Sequence, residues 1–461
     1  MDTPKGGTDR VIDIAPRRRA CRSSSSTLKF VDLFAGLGGF HVALSRLGHK
    51  CVLASEINAE LREVYQKNFG LMPQGDIRDI KLSDIPPHDI LCAGFPCQPY
   101  SKAGTQLGPD CPAYGDLAYK IVDWLRHARP RYFILENVPN LVRHRSGMLW
   151  CQLSTELRQA GYDVQHAILS PNSYGVPQVR ERVFIVGSRG GLSLFRWPRP
   201  SGARTDIRSI LDANPSDARR LSAKAIETLE AWARFTDSFP RSQAKPHFPI
   251  WAAEFGATYP FATATPASLS ARTLREYQGQ FGTDLDLLRG KALMDALPPY
   301  ARENARRFPG WKVRFIHQNR DLYARNRRWI DPWKQSIAHL APSYQKFEWN
   351  FDRTRHALWD SVIQLRGSGI RAKSPSSAPA LVAFSSTQVP VIGWERRYLT
   401  VKECARLQGL DCLPRLPATE TAAFKALGNA VNVKVTELVA ERLLLPAVRV
   451  NAARSVAGLR A

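Results

Sequence analysis

From Leu28 to about Arg189 the chain alternates short, β-branched apolar runs with longer amphipathic stretches, a pattern that few folds accommodate. Apolar runs of this kind suit strands buried on both faces, and the stretches between them carry helical spacing. Strands are predicted at Phe30–Leu33, Cys51–Ser55, Ile90–Ala93, Tyr132–Leu135, Val164–Ile168 and Val183–Val186. Helices are predicted at Phe40–Leu47, Ala59–Asn68, Leu117–His127 and Leu149–Ala160. A parallel sheet with helices on its faces follows, an α/β fold. From Pro198 to about Pro390 the alternation is lost among Pro, Arg, Trp and polar residues, which marks a second domain whose fold the pattern does not specify. Helical periodicity returns at Thr400–Leu407 and Ala422–Leu443.

The charge balance narrows the choice of partner. With 65 basic against 41 acidic side chains the net charge is +24, an attractive field for a polyanion. The charge is concentrated between Ala301 and Ile330, where Arg314, Arg320, Arg325, Arg327 and Arg328 stand among the aromatics Phe308, Trp311, Phe315, Tyr323 and Trp329. That mixture predicts phosphate contact; a solvated basic face is the alternative. Pro16 and Arg17–Arg19 occupy the place of a secretory apolar segment, and no run of about 18 apolar residues occurs, so a cytoplasmic protein without a membrane span is expected. The eight cysteines form no CxxC pairs, so no metal site is expected.

Four segments carry chemistry. Phe30-Val31-Asp32-Leu33-Phe34-Ala35-Gly36-Leu37-Gly38-Gly39-Phe40 runs from a strand through a glycine-rich turn into a helix. Such a turn admits a ligand to backbone that a Cβ would block, although a plain tight turn has the same composition. Glu56 closes the next strand, where an acidic group takes up ribose hydroxyls, so a nucleoside cofactor is predicted. Asp76 in Gly75-Asp76-Ile77 suits an adenine amino group or, equally, a helix cap. The second segment, Ala93-Gly94-Phe95-Pro96-Cys97-Gln98-Pro99, presents a cysteine between two prolines at the carboxyl end of a strand, where ligands gather in open α/β sheets. Glu136-Asn137-Val138-Pro139 also follows a strand directly. In Gln178-Val179-Arg180-Glu181-Arg182, alternation points both arginines to one side, as a polar clamp or as a surface salt-bridge ladder.

Taken in order, these segments resemble the motif set of the cytosine carbon-5 DNA methyltransferase family of the prokaryotic modification type. Arg397–Gly409 and Gly428-Asn429-Ala430-Val431 complete the series beyond a long variable insert. The resemblance implies a Rossmann-like S-adenosylmethionine-dependent methyltransferase domain with a second, smaller target-recognition domain. It divides the chain into a basic tail (1–26), a catalytic and cofactor-binding domain (27–197), a recognition domain (198–396), C-terminal motifs returning to the first domain (397–445) and a tail (446–461). Phe34, Gly36, Gly38, Glu56, Ile57, Asp76, Ile77, Asn429 and Val431 would line the cofactor site. Cys97 would be the nucleophile, Glu136 the acid at the ring, and Arg180 and Arg182 the clamp, with Arg180 balancing charge on Cys97 and the base. Where the family shows a Thr-Leu pair late in its recognition region, this chain has Ala380-Leu381.

Double-stranded DNA is the partner so implied, read by a monomer and protected from a cognate restriction endonuclease that cuts the same site. Two rivals share parts of the pattern. A transfer-RNA cytosine methyltransferase would carry a shorter insert and a Cys-Phe-Thr signature, which does not occur here. An inactive DNA-binding regulator would tolerate loss of Cys97, Glu136 or Arg180, and all three are present.

Overall fold

The computed structural model describes residues 27–96, 117–143, 147–381 and 388–444, which form two compact units. One holds the described residues up to Asp212, those from Pro379 to Leu381, and those from Val401 onward. The other holds Ala213–Ala378 and the described residues that run on to Thr400. The boundaries therefore fall at 212 and 400 rather than at 197 and 396, for local reasons. Asp212 is tied into the first unit, because its N–H donates to Glu403 at 2.9 Å and its carboxylate accepts from Arg406 at 2.8 Å. Arg397 and Tyr398 pair as a strand with Ile392 and Val391 of the second unit.

The first unit runs through β1 (Lys29–Leu33), α1 (Gly39–Arg46), β2 (Lys50–Ser55), α2 (Ala59–Phe69), β3 (Ile90–Gly94), α3 (Leu117–Ala128), β4 (Tyr132–Asn137), α4 (Asn140–Arg143), α5 (Met148–Gln159), β5 (Asp163–Leu169), β6 (Gln178–Val179) and β7 (Arg182–Ser188). Six of these strands make one sheet in the order β2-β1-β3-β4-β7-β5. Strands β2, β1, β3 and β4 are parallel, as the alternation predicts. Strand β7 is antiparallel to both neighbours, so the all-parallel expectation fails at this edge. The cause is the connection: between Leu169 and Arg182 lie only a 3-10 turn and the two-residue β6, too little for a crossover helix, so the chain folds back.

One sheet face is sealed by Trp124, Leu125, Leu153 and Leu157 of α3 and α5 against Val31, Leu91, Phe133 and Ile185. Helix α2 starts and stops on local signals. Asn58 caps α2 by accepting the Leu61 N–H at 3.0 Å, and Gly70 ends it in the left-handed region at φ 70°. The periodic stretch Ala422–Leu443 forms two helices, Glu420–Asn429 and one over 433–444.

The second unit contains α6 (Ala223–Ser238), β8 (Ile250–Trp251), α7 (Ala271–Leu274), α8 (Gly290–Asp295), α9 (Gly310–Lys334), β9 (Lys346–Asn350), β10 (Val362–Arg366), β11 (Gly369–Lys373), then β12 (Ala378–Pro379), which straddles the boundary, and β13 (Val391–Ile392) and β14 (Arg397–Tyr398). Its sheet has the order β14-β13-β10-β11-β9-β8. Aromatic rings hold its helices: Trp232 of α6 lies 5.1 Å from Trp333 of α9 and 4.8 Å from Phe347 of β9, centroid to centroid. After β14 the chain re-enters the first unit as α10 (Val401–Gln408) and α11 (Glu420–Asn429). Among the described residues no helix is long and apolar enough to cross a membrane.

Candidate active site

The carboxyl ends of β1 to β4 lie side by side, and the segments singled out in the sequence leave the sheet there. After β1 the backbone turns through Phe34 at φ 57°, Gly36 at φ 53° and Gly38 at φ 81°. For a bulky residue such as Phe34 the left-handed region costs about 1–3 kcal/mol, strain of the kind that collects at ligand sites. Glu56, at the end of β2, braces this turn: one carboxylate oxygen accepts the Gly36 N–H and the other the Asn58 N–H, each at 2.9 Å. Each oxygen retains a second acceptor position, which fits the two vicinal hydroxyls of a ribose. Ile57 beside it is 65% exposed, apolar surface open to a flat ring.

Asp76 reaches the same sheet end, because the Glu56 N–H donates to the Gln74 carbonyl at 2.9 Å and the Ser55 hydroxyl to that of Gly75 at 2.7 Å. Its carboxylate accepts the Arg78 backbone N–H at 2.9 Å and pairs with the Arg78 guanidinium, which holds it below the usual carboxylate range. The capping alternative for Asp76 is therefore the one these contacts show, a turn cap paired with Arg78. Ile77 departs from the expectation, since its side chain is 2% exposed within the apolar core.

The C-terminal segment closes over the turn. Helix α11 stops at Asn429, which is exposed, and Ala430 is extended at φ −62°, ψ 144°. The break lays Val431 across two glycines: a Cβ on Gly39 would stand 2.6 Å from the Val431 carbonyl oxygen, and one on Gly94 would stand 3.1 Å from its Cγ2. Asn432 then starts the last helix by accepting the Val435 N–H at 3.2 Å, and its amide donates to the Leu407 carbonyl at 2.9 Å.

Gly94 pairs in register with Glu136 of β4, which places the second and third chemical segments on adjacent strands. Glu136 is 7% exposed, and burial raises its pKa against the opposing pull of Arg182 and Arg180. Arg182 Nε lies 3.2 Å from its Oε1. Asn137, quoted in the sequence but given no role there, donates to the Phe95 carbonyl at 3.1 Å and so fixes the backbone two residues before Cys97. Cys97 itself lies outside the described residues.

Arg180 is not a surface ladder residue. It is 2% exposed, and its guanidinium donates to the carbonyls of Leu381 at 3.0 Å, Gly428 at 2.8 Å and Ala430 at 3.0 Å. Below the turn, Asp32, His41 and Tyr65 form a buried group that sequence reading missed, with His41 Nδ1 2.6 Å from the Tyr65 hydroxyl. Burial lowers the His41 pKa to about 4 and raises that of Asp32 well above the carboxylate range.

These elements converge on one edge: a left-handed turn at Gly36 braced by Glu56, Val431 bridging Gly39 to Gly94, and a buried carboxyl paired with arginine at Glu136. Residues 28–444 match the family described as C-5 cytosine-specific DNA methylase. The chain belongs to that family. It is a DNA cytosine-5 methyltransferase that uses S-adenosylmethionine. The Type II methyltransferase M.AluI of Cellulosimicrobium cellulans is similar to it at 31% identity over 480 residues, covering 89% of this chain and 91% of the relative. The Type II methyltransferase M.BanI of Aneurinibacillus aneurinilyticus is 29% identical, covering 90% and 95%. The Type II methyltransferase M.HhaI of Haemophilus parahaemolyticus matches more locally, at 38% identity over 40% of this methyltransferase and 57% of the relative.

In the second unit, the basic stretch resolves into helix α9 and the turn before it. Its aromatics mostly face inward: Phe308 is buried, Phe315 packs against the same core, and the Tyr323 hydroxyl donates to Asp331 at 2.7 Å. Arg320 also turns inward, where it pairs with the fully buried Glu254 at 3.0 Å and lies over the Tyr259 ring. Arg314, Arg325, Arg327 and Arg328 are exposed, and Arg327 pairs with Asp331 at 3.1 Å.

Proposed function

We propose that this methyltransferase modifies one cytosine within a short double-stranded DNA sequence through a covalent bond to Cys97. Glu136 is the acid at the ring, and the turn Phe34–Gly38, with Glu56, Ile57, Asp76, Asn429 and Val431, is the methyl-donor site. The observation that carries this reading is Glu136, a buried carboxyl with a raised pKa, in register with the strand that leads into Pro96-Cys97.

Carbon 5 of cytosine is too weak a nucleophile to take a methyl group unaided. Addition of the Cys97 thiolate to carbon 6 pushes the ring double-bond electrons toward carbon 5, and a proton held by Glu136 neutralises the charge that reaches ring nitrogen 3. Arg182 holds the Glu136 carboxyl in position, and Asn137 holds the Phe95 carbonyl, so acid and nucleophile are fixed from adjacent strands. S-adenosylmethionine supplies an electrophilic methyl carried on a sulfonium. Loss of the carbon 5 proton and expulsion of the Cys97 thiolate then restore the ring. Because the face of a stacked base is covered, the cytosine must leave the duplex, at a cost of a few kcal/mol. The exposed Arg314, Arg325, Arg327 and Arg328 of α9 are suited to phosphate contact, whereas Arg320 is committed to Glu254. The enzyme works as a cytoplasmic monomer and protects DNA from a cognate endonuclease, the last role in keeping with its likeness to Type II methyltransferases.

The roles are tested with duplex copied from 5-fluorodeoxycytidine triphosphate. Fluorine cannot leave carbon 5 as a cation, so methylated adducts persist. Peptide mapping is expected to find the DNA on Cys97, with none on a Cys97→Ser variant; an adduct at another residue would remove Cys97 from the mechanism.

A further inference from the structure

Arg180 joins three places that the proposed mechanism treats separately. Its carbonyl partner Leu381 lies three residues after Ala378, where the long stretch of the second unit ends, and follows Ala380 in the pair that stands where relatives carry Thr-Leu. The other partners, Gly428 and Ala430, bracket Asn429 just before Val431, whose carbonyl rests on Gly39 of the glycine turn. The same guanidinium is close enough to Glu136 to lower its pKa. At 2% exposure, with NH groups directed at backbone carbonyls, it is built as a tie between segments.

We propose that Arg180 is a positioning residue that couples the two substrates. One guanidinium orders both the Leu381 segment, which continues from the recognition unit, and the 428–431 segment, which lies over the methyl-donor turn. A substrate that orders either segment prepays part of the ordering that the other needs, so each substrate tightens the binding of the other. Arginine suits this task because its planar fork presents several donors in fixed directions, which a lysine ammonium cannot reproduce. The inference rests on the proposed site, and it assigns Arg180 to order and affinity rather than to charge on the base.

The test measures S-adenosylhomocysteine affinity by calorimetry, with and without saturating unmethylated duplex that the wild type is first shown to methylate. The wild type is expected to bind it about tenfold more tightly with DNA, within the usual range of coupling. Arg180→Lys is expected to lose most of that factor, with KM raised for both substrates and the pH profile of kcat unmoved. Coupling kept in the variant, with kcat alone reduced and its pH profile shifted, would instead make Arg180 an electrostatic group at the base and overturn the proposal. If the variant does not fold, hydrogen exchange on the wild type decides. S-adenosylhomocysteine alone is expected to protect the amides of Ala380 and Leu381 together with those of 428–432, and protection confined to 428–432 overturns it. A wild type that leaves DNA unmethylated would instead count against the proposed function.

Discussion

At the scale of single residues the account rests on Glu136 and on the glycines beneath Val431. Burial raises the Glu136 pKa while Arg182 opposes the rise, so activity that needs its proton should fall as pH climbs through that raised value. Replacing Arg182 with Met removes a cation 3.2 Å away and should move the alkaline limb of the kcat profile to higher pH. Glu136→Gln should lower kcat by roughly 10²–10⁴, the usual worth of a positioned acid, and flatten that limb. A limb at the same pH in all three proteins would take Glu136 out of the acid role. Gly39→Ala sets a methyl 2.6 Å from the Val431 carbonyl oxygen. It should cost about 1–3 kcal/mol in urea unfolding, as overpacking does, and should weaken S-adenosylhomocysteine binding as well. Phe34, Glu56 and Glu136 were legible as candidates because they stand at the ends of strands. Asn137, Asp32 and Tyr65 were not, since their roles depend on partners 42 and 33 positions away that only the sheet brings near.

Among the elements, α9 shows why the middle of the chain resisted reading. Its inward face carries Lys312, Asn319 and Asn326 among Ile316, Leu322 and Ile330, so the apolar period is broken. Each polar residue is satisfied on burial: Lys312 donates to the Tyr300 carbonyl at 3.0 Å, Asn319 to that of Pro249 at 3.0 Å, and Asn326 to that of Leu322 at 3.0 Å. The strands around it are two to five residues long, too short for alternation to declare itself. In the first unit the strands run five to seven residues with little interruption of apolar character, which is why their places were read correctly apart from the two-residue β6, though not the direction of β7. Basic residues of α9 should separate by the same logic. Arg320→Ala leaves Glu254 buried without its cation and should cost about 3–5 kcal/mol in denaturant unfolding. Arg314→Ala and Arg328→Ala, both at exposed positions, should leave stability unchanged and each reduce the slope of log affinity for DNA against log salt by about one. A salt slope unmoved by both exposed variants would place the phosphate contacts elsewhere.

For the whole molecule, the chain leaves the first unit at Asp212, builds a second unit, touches back at Pro379–Leu381, and returns at Val401 to place Val431 over the turn where the fold began. The turn after β1 is therefore packed by a residue from beyond the second unit, and the second unit is an insertion within the first. Label transfer tests whether Cys97 drives methylation of cytosine in DNA. The wild type and Cys97→Ser are each incubated with methyl-labelled S-adenosylmethionine and either unmethylated genomic DNA or total RNA, and the modified bases are then located. Label is expected at carbon 5 of cytosine in one short DNA sequence, present with the wild type and absent with the variant. Label confined to RNA, or label in DNA that survives the loss of Cys97, would contradict it.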